Sequence, residues 1–164
     1  MLLRFAAENI MSFKNAVEFN TFPSSKSHSH EWHKMDCGYV TALRMSAIYG
    51  ANGAGKSNLL KCIALLKSLV GAEKMGEADI AEDLYFKLDE NGKNTPSELA
   101  VEFFTEGKIF YYHLRFNRQE VFEEELLLSQ KTKDIRIFSR KDNDINVSGD
   151  YLRPGGKDDF IEVF

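Results

Sequence analysis

The sequence lacks an excess of basic charge, a long apolar run, paired cysteines and an internal repeat. Its 21 Lys and Arg against 25 Asp and Glu leave a formal net charge of −4, with a pI near 5.6. Non-specific nucleic-acid binding runs on clustered Lys and Arg, so the balance argues against a broad footprint of that kind on this chain alone and leaves a local patch open. No apolar run approaches the roughly 20 residues of a membrane-spanning helix. The opening Met1-Leu2-Leu3-Arg4-Phe5-Ala6-Ala7-Glu8-Asn9 is too short and too charged for a secretory signal. The two cysteines, Cys37 and Cys62, are far apart and form no C-x-x-C pair. This usage predicts a reducing, cytoplasmic setting and no membrane partner.

What is present fits one globular domain. At 164 residues, with 43% apolar and 28% charged residues, the chain can bury a real core. Residues 2–8 read as a strand, and 16–22 alternate with Val17, Phe19 and Thr21 on one face. With the polar residues 9–15 between them, the two predict a hairpin over 1–22. Residues 22–30 read as a loop. The apolar stretch 42–49 predicts a strand, and 58–66 predict a helix that ends near Gly71, with Cys62 a small buried core residue. Residues 72–83 are acidic and weakly patterned. A period-two pattern then predicts an antiparallel meander over 84–164. Its pieces are a short strand at 84–88 stopped by Asn91-Gly92, and a hairpin of Leu99, Val101 and Phe103 against Phe110, Tyr112, Leu114 and Phe116 about Thr105-Glu106-Gly107. Strands at 121–128 and 135–138 follow, then a turn at Lys141-Asp142-Asn143-Asp144 into Ile145-Asn146-Val147.

One motif carries chemistry. Gly50-Ala51-Asn52-Gly53-Ala54-Gly55-Lys56-Ser57 fits G-x-x-x-x-G-K-[ST], between a predicted strand and a predicted helix. Gly50, Gly53 and Gly55 let the backbone turn tightly and approach phosphates. The amides of Asn52, Gly53, Ala54 and Gly55 form an anion nest, reinforced by the positive end of the helix. Lys56 brings charge to the β/γ-phosphates, and the Ser57 hydroxyl is a ligand of Mg²⁺. Asn58 either contacts phosphate or starts the helix. The motif predicts that the chain binds a nucleoside triphosphate, ATP with Mg²⁺. Small-molecule kinases and GTPases put this loop on their first strand and then alternate βαβα. Here almost 50 residues precede it and an antiparallel meander follows, so a kinase is the weaker alternative.

Leu3-Arg4-Phe5, Glu8-Asn9-Ile10-Met11-Ser12-Phe13-Lys14 and Ala47-Ile48-Tyr49, running into the glycine motif and Asn58-Leu59-Leu60, resemble the amino-terminal lobe of the SMC/RecF-like ABC ATPases. The nearest flavour is the bacterial AAA-type ATP-binding proteins of anti-phage systems, including retron-associated and Septu-type ATPases and the overcoming-lysogenization-defect nucleases. The resemblance implies an α/β fold: a P-loop NTPase lobe of ABC type with a mixed sheet and an antiparallel β-subdomain. It places Asn9, Ser12, Phe13 and Lys14 near the nucleotide, where an ordinary polar hairpin turn is the competing reading. It also implies ATP-dependent dimerisation with a second copy or the second half of the head. A nuclease subunit is an implied partner, and nucleic acid is open to contact through the complete assembly.

The resemblance is incomplete. A signature sequence, a Walker B strand and a switch histidine are not convincingly present, and Gln119 and Gln130 have no Q-loop context. The nearest Walker B decoy, Leu84-Tyr85-Phe86-Lys87-Leu88-Asp89-Glu90, is interrupted by Lys87 and reads as a solvated strand end. The chain therefore reads as an incomplete head, with a non-hydrolysing ATP-dependent assembly module as a further alternative. His28, His30, His33 and Cys37 crowd together without the paired spacing of a zinc site. Trp32 is either a partner contact or a loop anchor. Glu123-Glu124-Glu125 reads as a solvated face, and the aromatic alternation over 103–116 as core.

Overall fold

The computed structural model describes residues 1–26, 29–72 and 80–149. A seven-stranded sheet runs in the order β2-β1-β5-β6-β7-β8-β9. Its strands are β1 (Leu2–Glu8), β2 (Val17–Asn20), β5 (Ser97–Thr105), β6 (Lys108–Phe116), β7 (Val121–Ser129), β8 (Ile135–Lys141) and β9 (Asp144–Val147). A separate two-stranded ribbon joins β3 (Lys34–Asp36) to β4 (Thr41–Leu43). The helix α1 spans Lys56–Gly71. Every pairing among the described residues is antiparallel, so the mixed sheet expected from the sequence is not formed there.

The predicted hairpin over 1–22 is present, with Phe5 opposite Phe19 and Ala7 opposite Val17. The β5–β6 hairpin is present too, closing with Thr105 opposite Lys108. Its two linking residues, Glu106 (φ 49) and Gly107 (φ 75), are both left-handed. A two-residue hairpin needs that twist, and glycine supplies it without strain. Two expected strands do not form. Residues 84–88 make turns, and Leu88 is 89% exposed. The strand expected at 42–49 stops at Leu43, after pairing with a β3 that sequence patterning missed. Residues 73–79 and 150–164, which carry part of the acidic stretch and the end of the expected meander, lie outside the described residues.

The sheet has two chemically distinct faces. On the inner face Phe5, Ala7, Leu99, Tyr112, Leu114, Phe116 and Phe138 join Leu59, Cys62 and Leu66 of α1 in the main core. The helical residues recur at three- and four-residue spacing, the stripe an amphipathic helix lays on a sheet. A register shift between Leu2 and Arg4 accompanies the placing of Leu3 in a second cluster with Cys37, Ala42 and Ile109. The outer face carries cross-strand ion pairs: Arg4 with Glu18 and Glu102, Arg115 with Glu98 and Glu123, and Arg136 with Glu125. Glu123 and Glu125 thus occupy a wet face, as expected of the Glu run. Glu124 does not: it points inward, is buried, and accepts a hydrogen bond from the Tyr112 hydroxyl at 2.6 Å. The expectation fails at Glu124 because period two sends the middle residue of any strand triplet to the opposite face.

Two outcomes follow from this core. Tyr112→Phe removes the donor facing a buried carboxylate and should cost about 1–3 kcal/mol, read as a lower urea midpoint at unchanged slope. Burial pushes the Cys62 thiol from 9.0 up to about 11. The raised folded value means that stability held by the neutral thiol is complete below pH 9 and declines as pH rises through about 11. At pH near 8 the folded chain should therefore resist alkylation at Cys62 and react there once denatured, as mass spectrometry of the modified peptides would record.

Candidate functional site

The glycine motif forms the entry to α1. Gly55 precedes the helix with φ 87, and no side chain caps the first turn. The first amides of a helix have no internal acceptor, so they present an electropositive N–H cluster. Gly53 is also left-handed, at φ 81. The Ala54 amide donates to the Ala51 carbonyl at 3.2 Å, and the Leu59 amide donates to the Gly55 carbonyl at 3.0 Å. The Lys56 ammonium reaches back over the loop, donating to the carbonyls of Gly50 and Ala51 at 2.7 Å each. Asn52 and Ser57 are exposed beside it. An anion could be held here by backbone N–H groups and by a lysine that already follows the contour of the loop.

Not all the residues expected near this loop reach it. Ser12 and Phe13 do. The Ser12 hydroxyl accepts a hydrogen bond from the Asn58 amide at 3.0 Å. A Cβ on Gly55 would lie 3.0 Å from Phe13 Cε1 and 3.1 Å from Ser12 Oγ. Glycine is thus required there both by the left-handed φ and by the ring packed over it. Asn58 is engaged by Ser12 as well as standing in the first turn of α1. Lys14 instead pairs with Asp89 at 2.8 Å, and this contact holds the Asp89 carboxyl below the ordinary carboxylate range. Asn9 is turned away from the loop and is 5% exposed. Its amide donates to the carbonyls of Gly92 and Thr95 at 2.8 and 2.6 Å, and its oxygen accepts from the Phe86 amide at 3.3 Å. The Ser97 hydroxyl donates to the Asn9 carbonyl at 2.7 Å.

The Walker B decoy is disposed of by the same contacts. Residues 84–90 form no strand, and Asp89 is spent on Lys14. Residues 45–50, leading into the loop, are exposed and irregular. Among the described residues their amides donate no backbone hydrogen bond. Met45 (69%) and Tyr49 (89%) stand in solvent. Elsewhere, Trp32 is exposed and stacked on His33 with ring centroids 3.6 Å apart. His28 lies outside the described residues. No group of three His, Cys, Asp or Glu among the described residues could hold a metal ion, and no helix among them is long and apolar enough to cross a membrane.

A glycine loop feeding an uncapped helix, with a lysine that donates to the loop's own carbonyls, is the arrangement of a P-loop ATPase-like domain. Over residues 45–164, more than half of its length, the sequence matches the family described as "AAA domain, putative AbiEii toxin, Type IV TA system". The chain belongs to that family. No curated protein matches it.

Gly55→Ala should be disruptive out of proportion to its size. A left-handed non-glycine residue costs about 1–3 kcal/mol, and the added methyl meets Phe13. Nucleotide affinity, followed with a fluorescent ATP analogue, should fall at least tenfold, with a lower melting temperature.

Proposed function

We propose that this chain is the ATP-binding lobe of an SMC/RecF-like ABC ATPase, in which nucleotide drives association of two heads. The amides of Asn52, Gly53, Ala54 and Gly55 cradle the phosphates, Lys56 supplies charge, and Ser57 offers its hydroxyl to Mg²⁺. Bound Mg²⁺ would neutralise phosphate charge and orient the terminal phosphate. Ser12 and Asn58 set the wall of the cradle beside Gly55. The reading extends to control of a nuclease or a DNA-sensing output in anti-phage defence, supported by the family's description and by the resemblance of the first 60 residues.

The observation that carries this reading is the asymmetry about the glycine loop. Its helix side packs on the main core, whereas residues 45–50 on its strand side are exposed, and among the described residues their amides donate to no backbone carbonyl. A buried strand reads as continuously apolar, and Ala47-Ile48-Tyr49 has that character. We assign these residues as the strand that pairs with the other half of the head, supplied by a further segment or a second polypeptide. The absence of a strand at 84–90 favours a second reading, a non-hydrolysing module that uses ATP only to dock a partner.

ATP turnover by this chain with Mg²⁺, beside Lys56→Ala, tests the proposal. Tight binding lost in Lys56→Ala, with no turnover above that blank, is the expected outcome. Turnover that Lys56→Ala abolishes would mean that the water-activating carboxylate is already within the chain, and the incomplete-head reading would fall. Turnover gained on adding the complementary half would separate an ATPase from the non-hydrolysing module.

A further inference from the structure

Residues 9–14, which join β1 to β2, touch two distant regions at once. Toward the glycine loop, Ser12 accepts from Asn58 and the Phe13 ring lies over Gly55. Toward residues 84–96, the Met11 amide donates to the Leu84 carbonyl at 2.6 Å. Asn9 holds the backbone at Phe86, Gly92 and Thr95, and Lys14 pairs with Asp89. The connection is short and stiff. The Ile10 amide donates to the Phe13 carbonyl at 3.0 Å, and the Phe13 amide returns to the Ile10 carbonyl at 2.8 Å. Asn9 (φ 46) and Met11 (φ 51) are left-handed without being glycine, a conformation that survives only where the surroundings enforce it.

We propose that this connection transmits nucleotide occupancy from the glycine loop to residues 84–96. The inference rests on the ATP-binding reading of the loop. Phosphates drawn onto the loop amides would pull at Gly55, where the chain turns into α1. The Phe13 ring lies close over Gly55, with its Cε1 3.0 Å from the place a Cβ would take, so a shift of the Gly55 backbone is passed on to the ring. The Ile10–Phe13 bridge passes the shift to Met11 and Asn9, whose hydrogen-bond partners are the backbone of 84–96. The exposed Lys14–Asp89 pair is the weakest of these ties, and so the first to rearrange. Residues 84, 85, 93 and 95 line a cleft of about 550 Å³ together with Asn117, Arg118 and Gln119. The device therefore ends at a surface whose shape would follow the nucleotide. Coupling of this kind requires ATP to favour one arrangement of the segment over another.

Hydrogen–deuterium exchange on the full chain, with Mg²⁺ alone and with Mg²⁺ plus a slowly hydrolysed ATP analogue, tests this. In the wild type, nucleotide should slow exchange in peptides covering 50–58 and change it at least twofold in peptides covering 84–96. Lys14→Ala, which severs the pair with Asp89 at a residue that does not reach the loop, should keep the first effect and lose part of the second. Asp89→Asn, a surface change that leaves the core intact, should do the same from the other side of the pair. Protection at 50–58 with no change at 84–96 would overturn the coupling and leave nucleotide binding standing, as would a full response at 84–96 in both variants. No protection at 50–58 would overturn the binding reading and the coupling together.

Discussion

The contact between Phe13 and Gly55 closes the ring on which the rest of this structure depends. β1 leads into residues 9–14, whose Phe13 lies over Gly55. Gly55 turns the chain into α1, and α1 returns through Leu59, Cys62 and Leu66 to the sheet face that β1 lines. Each arc fixes the next. A left-handed residue at position 55 aims the helix, the helix buries its stripe, and the sheet holds the strand that delivers Phe13. Any side chain at position 55 would break the ring where it has least room. The geometry of the loop is thus a property of the whole lobe and not of eight residues.

The two sheet faces divide the work unequally. Exposed cross-strand ion pairs each contribute little, typically about 0–1 kcal/mol, so the outer lattice of Arg4, Arg115, Arg136 and their carboxylates does not hold the sheet together. It keeps that part of the face wetted, beside the patch where Leu3 and Ile109 are buried with Cys37 and Ala42. Stability comes from the inner face, where large apolar side chains lose contact with water. Polar groups buried there are paired: the Ser97 hydroxyl donates to the Asn9 carbonyl, and Tyr112 and Glu124 satisfy one another. Such a pair restricts register, since sliding β6 against β7 by one residue would strand both.

Local pattern made some of this legible. The β5–β6 hairpin was readable because alternation and Glu106-Gly107 agree on the same turn, and α1 because apolar spacing and the glycine stop agree on the same helix. The turn into α1 was readable because left-handed positions at 53 and 55 call for glycine, and glycine stands at both. What escaped has its cause elsewhere in the chain. Asn9 looks like any polar turn residue until Gly92 and Thr95 arrive from more than 80 positions away. Residues 84–88 have strand composition but lie against Asn9 and Met11, whose hydrogen bonds take the backbone groups a strand would need. Glu124 was hidden by its neighbours, because a run of three acids reads as one surface although a strand splits it between two.

The failure at residues 42–49 has a different meaning. A helix satisfies its own backbone, so α1 forms from its own sequence and one face to pack on. A strand does not, and its amides wait for a neighbour. Residues 45–49 have the composition of an interior strand, yet among the described residues they pair with no other strand. In the reading proposed above, pairing there would bury Met45, Ile48 and Tyr49 and order the backbone immediately before Gly50. The ammonium of Lys56 already rests on the Gly50 carbonyl, so the group that orders this strand also steadies the anchor of the lysine. Docking of the second half and occupation of the loop by phosphates would then favour the same backbone arrangement. By linkage each must strengthen the other, which makes association and nucleotide binding two readouts of one equilibrium.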